Sequence, residues 1–147
     1  MPYITNTDIQ TRLGNSAYVQ LTDDAGTGQA NEAVVDEARL GAEGEVDAYL
    51  ARRYAVPIDL VKHPELSGLL ASIALDLAEY RLRLRRPPIT AEATARNSNA
   101  VTWLRRVAAG DIELPAVTPV AISTLSGAAG QAIGEERVLS RDELSDY

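Results

Sequence analysis

The chain has 147 residues, a formal net charge of −7 and 46% hydrophobic residues, with no cysteine and a single histidine. The lack of cysteine excludes disulfides, thiol catalysis and thiolate metal sites, and no apolar run approaches the roughly 20 residues that span a bilayer. The N-terminus has neither the basic start nor the apolar segment of a signal peptide. We therefore expect a soluble protein of one compact domain, without a membrane partner.

A first short helix is predicted in YITNTDIQTRLG. Thr5 and Asp8 have the three-residue spacing of a capping box, and Gly14 is a natural stop. A brief helical turn and a polar loop are expected next. In that loop Asp23 and Asp24 lack the ligand spacing of a calcium-binding loop, and its glycines lack the Lys-Ser/Thr ending of a phosphate-binding loop.

The second helix is predicted from about Asn31 to Tyr54, with Arg52 and Arg53 in its last turn, where they face the negative end of the helix dipole. Gly41 and Gly44 weaken this helix, and their expected benefit is the close approach of another helix. The predicted apolar stripe consists of Val35, Ala38, Ala42, Val46, Tyr49 and Leu50.

Pro57 marks an extended connection, and Pro64 is well placed as the first residue of a third helix. This is the most hydrophobic helix, and Pro87 and Pro88 end it. The predicted buried side consists of Leu66, Leu69, Leu70, Ile73, Leu77, Tyr80 and Leu84. We expect this helix to be central.

Thr90 can cap a fourth helix that ends near Gly110, with Arg105 and Arg106 in its last turn. Its predicted stripe consists of Ala93, Asn97, Ala100, Leu104 and Val107. No strand-like alternation precedes residue 110. The sequence thus predicts an all-α protein: a small bundle of about four main helices over residues 1–110, and an extended or flexible C-terminal arm over residues 111–147.

The charged residues form three blocks along the chain. Residues 1–48 hold nine acidic and two basic side chains, residues 49–110 hold ten basic and five acidic ones, and residues 111–147 hold seven acidic and two basic ones. Such alternation is unsuited to coating DNA, which favours a net basic footprint. It suits contacts with other copies of the chain or with an oppositely charged neighbour, although solubility alone also explains it.

The sequence does not assemble an active site. His63 lies in a connection, where a lone histidine is normally solvated, and no nucleophile elbow is present. The helical acidic pairs, Glu43 with Asp47 and Asp76 with Glu79, are expected on solvated faces. We therefore expect no catalytic, metal or cofactor site and no enzymatic activity.

Four arginines end the third helix: Arg81, Arg83, Arg85 and Arg86. The helix dipole accounts for one or two of them, and because successive helical residues are about 100° apart, the four cannot share a face. One interpretation is a plain surface with intrahelix pairs such as Glu79 with Arg83. The other is a subunit interface or DNA-channel surface that also includes Arg52 and Arg53.

Five segments, in this order, resemble a family of small virion proteins of Mu-like phages and prophages. They are MPYITNTDIQTRLG at the start, VDAYLARRYAVP at 46–57, DLAEYRL at 76–82, WLRRVAAG at 103–110 and VLSRDEL at 138–144. The resemblance covers most of residues 1–110 and the last ten. It departs from the family pattern in the glycine-rich loop at 26–28 and in a long Ala/Gly/Ser linker.

The resemblance implies a structural protein similar to the helical adaptors of head–tail connectors. In such assemblies a ring, commonly of twelve copies, docks beneath the portal protein and receives the stopper or tail-completion protein, while DNA passes through the lumen without sequence-specific contacts. The implied location is the virion neck, after assembly in the host cytoplasm. The implied docking arm comprises Val138, Leu139, Arg141, Leu144 and Tyr147.

A second hypothesis is a DNA-binding packaging accessory protein that uses the six arginines of the interface hypothesis. It predicts a duplex affinity that falls steeply with salt, and the acidic N-terminal block argues against it. A small hydrolase or metal enzyme would need a titratable cluster that the sequence does not show.

Overall fold

A computed structural model describes residues 2–120 of the chain. The elements are α1 (Asn6–Leu13), α2 (Asn15–Thr22), α3 (Glu32–Leu50), a 3₁₀ turn (Pro64–Leu66), α4 (Ser67–Leu84) and α5 (Ala91–Ala109). No strand occurs in this part of the chain, which confirms the all-α prediction. The segment predicted as a brief helical turn is a full helix, α2.

Local capping sets most of the helix ends. Thr5 and Asp8 form the predicted capping box of α1. Asn31 and Thr90 each accept a hydrogen bond from a backbone N–H in the first turn of α3 and α5. Gly110 ends α5 in the left-handed conformation, at φ 90°, which a residue with a Cβ adopts only at a cost.

Helix α3 ends four residues earlier than predicted. The chain turns after Leu50, and Tyr54 inserts into the core, where it is only 2% exposed and its hydroxyl accepts a hydrogen bond from the Leu114 N–H at 2.9 Å. Arg52 and Arg53 therefore lie in the turn after α3 and not in its last turn. The connection that follows is not simply extended either, because the Lys62 and His63 N–H groups bond to the Asp59 carbonyl.

The core lies between α3, α4 and α5. Helix α4 runs antiparallel to α3, since Arg81 pairs with Glu45, whereas Arg85, one turn further along α4, lines a pocket with the earlier α3 residues Val34 and Ala38. Helix α5 runs back along α4, because Arg96 near its start reaches Glu79 in the second half of α4, and Gly110 at its end lies against Arg53, just after α3. The buried core side chains on these helices are Val35, Ala38, Ala42, Val46, Leu50, Leu70, Ile73, Ala74, Leu77, Ala78, Leu82, Ala100, Leu104 and Val107.

Several sequence-based predictions of packing are wrong in detail. Leu69 and Leu84, predicted to be buried, are 40% and 50% exposed, whereas Leu82 is fully buried. A Cβ at Gly41 would lie 3.0 Å from the Arg81 guanidinium. The absence of a side chain at Gly41 therefore makes room for the Arg81 side chain and not for the backbone of another helix. A Cβ at Gly44 would meet no atom within 4 Å, and close helix approach does not explain that residue.

The segment that follows α5 packs against the helical body as far as the described residues extend. Leu114 is 3% exposed, and Ile112 and Val117 pack against the core. The Val120 N–H donates to the Arg53 carbonyl at 2.7 Å. The first ten residues assigned to the arm, 111–120, therefore lie on the bundle, and the remainder of the arm lies outside the described residues.

Candidate interaction surface

The arginines at the end of α4 bond to the loop that follows α2. Arg85 donates to the Leu21 carbonyl at 2.8 Å and also pairs with Asp24. Arg86 donates to the Asp23 carbonyl at 2.8 Å and to the Asp24 carboxylate at 3.2 Å. These contacts satisfy carbonyl groups at the end of α2, as helix ends require. Both arginines therefore have a structural role within one chain.

The other two arginines of this group also have carboxylate partners in the same chain. Arg83 donates to Glu79 at 2.8 Å, which confirms the predicted intrahelix pair. Arg81 crosses to α3 and pairs with Glu45 at 2.9 Å. The four arginines point in different directions, as the helical angle requires, and each is neutralised locally.

A cluster of five charged side chains lies where α1, α4 and α5 meet; we call it the ionic cluster. It comprises Arg12, Asp76, Glu79, Arg83 and Arg96. Glu79 is at its centre, with a side chain only 4% exposed, 2.8 Å from Arg83 and 2.9 Å from Arg96. A carboxylate is tolerated at this depth because several guanidinium groups surround it.

The prediction that Asp76 and Glu79 face solvent is therefore wrong. Helical periodicity places them away from the Leu77 stripe, but α1 and α5 cover that side of α4. Burial raises the pKa of the Asp76 carboxyl, an effect that the neighbouring Arg12 and Arg96 guanidiniums oppose. These contacts hold the three helices together through charge.

The other helical acidic pair, Glu43 with Asp47, fixes the N-terminal segment instead of facing bulk water. The Tyr3 hydroxyl donates to Asp47 and accepts from the Ile58 N–H at 2.9 Å, and the Ile4 N–H donates to Glu43 at 3.1 Å. Burial, followed by the hydrogen bond to Asp47, raises the Tyr3 pKa. The segment is therefore attached to α3 by polar contacts.

The polar loop after α2 closes on itself. The Asp23 carboxylate accepts hydrogen bonds from the Thr27 N–H at 3.0 Å and the Gly28 N–H at 2.7 Å, and these bonds lower its pKa. His63 is mostly covered, with its Nδ1 3.5 Å from Glu65. Within residues 2–120, no group of three or more His, Asp or Glu side chains is arranged to hold a metal ion.

Three arginines at the opposite end of the bundle from Arg85 have no carboxylate within 4 Å among the described residues. They are Arg52, in the turn after α3, and Arg105 and Arg106, at the end of α5; all three are exposed. The two helix ends meet, because the Arg53 guanidinium lies against Gly110. Asp111 is exposed nearby, and Arg53 itself is 3.7 Å from Glu113. We call Arg52, Arg105 and Arg106 the basic end.

Acidic side chains without a cationic partner lie at the other end of the bundle. Within the described chain, Asp8, Glu32, Glu37 and Glu92 are exposed and have no Lys or Arg nitrogen within 4 Å. Glu32 and Glu92 lie in the first turns of α3 and α5, and Asn6 of α1 bonds to Glu32 at 3.0 Å. We call these four residues the acidic end. A helix of 19 residues is about 28 Å long, which separates the two ends.

The structure thus divides the predicted arginine surface into two parts. Arg81, Arg83, Arg85 and Arg86 bond within the chain near one end, whereas Arg52 and Arg53 lie at the other, so the six do not form one surface. Arg105 and Arg106 belong with Arg52, and sequence reasoning assigned them only to the helix dipole. The docking residues Val138, Leu139, Arg141, Leu144 and Tyr147 lie outside the described residues.

Comparison with known protein families finds a match to one family. Residues 3–129 match the family described as Bacteriophage Mu, Gp36, whereas no curated protein matches the sequence. No helix in residues 2–120 has the length and hydrophobicity needed to cross a bilayer. Since the match includes the whole helical bundle and most of the chain, the protein belongs to the phage Mu Gp36 family.

Proposed function

We propose that this protein is a structural virion protein, a head–tail connector adaptor whose copies form a ring between the portal and the stopper or tail-completion protein. The ring leaves a lumen for DNA, and the chain carries out no catalysis. The observation that carries this proposal is the family match over residues 3–129, which places the chain among Mu-like phage proteins.

The charge distribution supports assembly. A subunit that contacts neighbours on both sides needs two different complementary surfaces, because a head-to-tail contact uses a different patch on each partner. The basic and acidic ends provide unpaired charges of opposite sign on one rigid bundle. The twelve-copy ring and the portal contact are part of the same proposal.

The test is deletion of the gene from a phage or prophage, followed by imaging of the particles. The expected result is DNA-filled heads that lack joined tails, with density missing from the neck. Expression of the chain in trans should restore that density. Normal necks without the protein, or density lost from another part of the particle, would contradict the proposal.

The C-terminal arm is tested by a chain that ends at residue 133. We expect it to keep the helical circular dichroism of the full chain but to fail to join heads to tails. Full infectivity with the truncated chain would show that Val138–Leu144 is not the docking segment.

A DNA-binding packaging accessory is the second candidate. Arg52, Arg105 and Arg106 favour it because they are exposed and unneutralised, whereas the pairing of the α4 arginines weakens it. It predicts duplex binding by the isolated protein whose affinity falls steeply between low and physiological salt. Binding that does not depend on these three arginines would contradict it.

A further inference from the structure

We propose that the basic end of one copy binds the acidic end of the next, so that copies associate head to tail along the α3 direction. This inference rests on the proposed ring, and it specifies which surfaces meet. The partner is a second copy of this chain. The basic end is Arg52, Arg105 and Arg106, and the acidic end is Asp8, Glu32, Glu37 and Glu92.

The first argument is the pattern of pairing inside the chain. Eight arginines of the described residues lie within 4 Å of a carboxylate, and the three that do not are all at one end. If charge served only solubility, unpaired residues of both signs would be mixed over the surface. Within the described residues, unpaired cations are instead confined to one end, where Glu65 and Asp111 are also exposed without a Lys or Arg within 4 Å, whereas the acidic end has four unpaired carboxylates and no unpaired arginine. The two ends can therefore complement each other in a contact.

The second argument is rigidity. Arg105 and Arg106 project from α5, and Arg52 is held by a turn in which Tyr54 is buried and the Arg53 carbonyl bonds to Val120. Glu32 is held by the Tyr18 hydroxyl, at 3.1 Å, and by Asn6. The backbone that carries these side chains is fixed before a partner binds, so association has to order the side chains but not the helices or the turn.

The third argument is geometry. A heterologous contact closes into a ring when each copy is rotated by a fixed angle, and a ring of about twelve needs a rotation of only about 30° per copy. The two contact surfaces of such a subunit must therefore be nearly opposite each other. The basic and acidic ends meet this condition, because they lie at opposite ends of α3 and α5.

Cross-linking provides the first test, and the chain is well suited to it because it has no cysteine. A full-length Arg106→Cys chain is mixed with a full-length Glu92→Cys chain and treated with a short bismaleimide. We expect mixed dimers in the mixture and far fewer dimers when either variant is treated alone. Dimers of the Arg106→Cys chain alone, or no dimers in the mixture at about 100 μM protein, would overturn the proposal.

Charge exchange provides the second test. One chain carries Arg52→Glu, Arg105→Glu and Arg106→Glu; the other carries Glu32→Arg, Glu37→Arg and Glu92→Arg. Each alone should associate at least tenfold more weakly than the natural sequence in sedimentation experiments at low salt. Mixing should restore association, because every contact is again between opposite charges. Failure of the mixture to recover would overturn the proposal.

The matched control has the same net charge as the variant with which it is compared, but its substitutions lie away from the basic end. One variant replaces Arg52, Arg105 and Arg106 with alanine. The control carries Gln20→Glu, Ser98→Glu and Asn99→Glu at exposed sites on α2 and α5, and its net charge falls by the same amount. Only the alanine variant should lose association. Equal losses would show that net charge, and not the basic end, controls it.

These outcomes are distinguishable from failure of the proposed function. If cross-links and charge exchange fail while gene deletion still removes the neck, the protein is an adaptor whose copies meet through other surfaces. If deletion leaves the neck intact while the head-to-tail contacts form, the association is real and the adaptor function is wrong.

Discussion

The two sides of α4 are both buried, but by different means. One side carries Leu70, Ala74 and Leu77 into the aliphatic core shared with α3. The other side carries Asp76 and Glu79 into the ionic cluster, where arginines from three helices compensate the carboxylates. Apolar burial is favourable for any neighbouring aliphatic surface, whereas the buried carboxylate depends on particular partners at particular distances.

The largest effect is expected in the aliphatic core. Leu77→Ala should lower the free energy of unfolding by about 2–5 kcal/mol, because it removes transfer energy and leaves a cavity. Leu77 is only 1% exposed. Urea denaturation measures the change. Leu69→Ala, at a leucine that is 40% exposed, is the control and should cost much less; equal costs would contradict the assignment of the core.

The second largest loss of stability is expected in the ionic cluster. Glu79→Gln is expected to cost about 1–3 kcal/mol, because the amide brings a donor into a site already surrounded by guanidinium donors and leaves buried groups unpaired. The measurement is again the free energy of unfolding. Glu45→Gln, in a more exposed pair with Arg81, is the matched control. A loss no larger than that of the control would mean that Glu79 is not the centre of the cluster.

A smaller effect is expected at Tyr18, a buried residue whose hydroxyl donates to Glu32 at 3.1 Å. Tyr18→Phe should cost about 0.5–1.5 kcal/mol at neutral pH. Burial, followed by the Glu32 charge, raises the Tyr18 pKa to about 12. Since the folded state favours the neutral phenol, this contribution is complete below about pH 10 and is lost as the pH rises towards 12.

Denaturation at several alkaline pH values checks the Tyr18 prediction, and the phenylalanine variant should show a shallower decline in stability than the natural sequence. Tyr80→Phe is the control, since the Tyr80 hydroxyl makes no hydrogen bond within residues 2–120. Parallel declines for the natural and Tyr18→Phe chains would contradict the expected role of this hydroxyl.

The smallest effect is expected for the pair between Arg81 and Glu45. Their side chains are 41% and 28% exposed, and pairs in water contribute only about 0–1 kcal/mol. Arg81→Ala should therefore change the free energy of unfolding by less than about 1 kcal/mol, as measured by urea denaturation. A loss as large as that of Glu79→Gln would remove the distinction between the buried cluster and the surface pairs.

The helices could be predicted because their signals are local. Thr5 with Asp8, Asn31, Thr90 and Gly110 act within one turn of the chain, and apolar periodicity identifies the faces of α3 and α5. The same local rules failed at the end of α3, where burial of Tyr54 and its bond to Leu114, 60 residues away, stop the helix.

The candidate surface was only partly predictable. The sequence gives the number of arginines and their order, but pairing depends on contacts such as Arg85 with Leu21 or Arg96 with Glu79, which join residues far apart in the chain. One of the two sequence-based interpretations was therefore a single interface or DNA-channel surface of six arginines. Folding pairs five of them with carboxylates and brings the sixth, Arg52, to the same end as Arg105 and Arg106.

The sequence by itself determined an all-α bundle, its caps, its aliphatic faces and its resemblance to a phage family, because these depend on spacing along the chain. Only the tertiary structure decided which charges remain unpaired. Whether a charged side chain is neutralised depends on its distance from partners on other helices, and the packing of α1, α4 and α5 around Glu79 sets those distances.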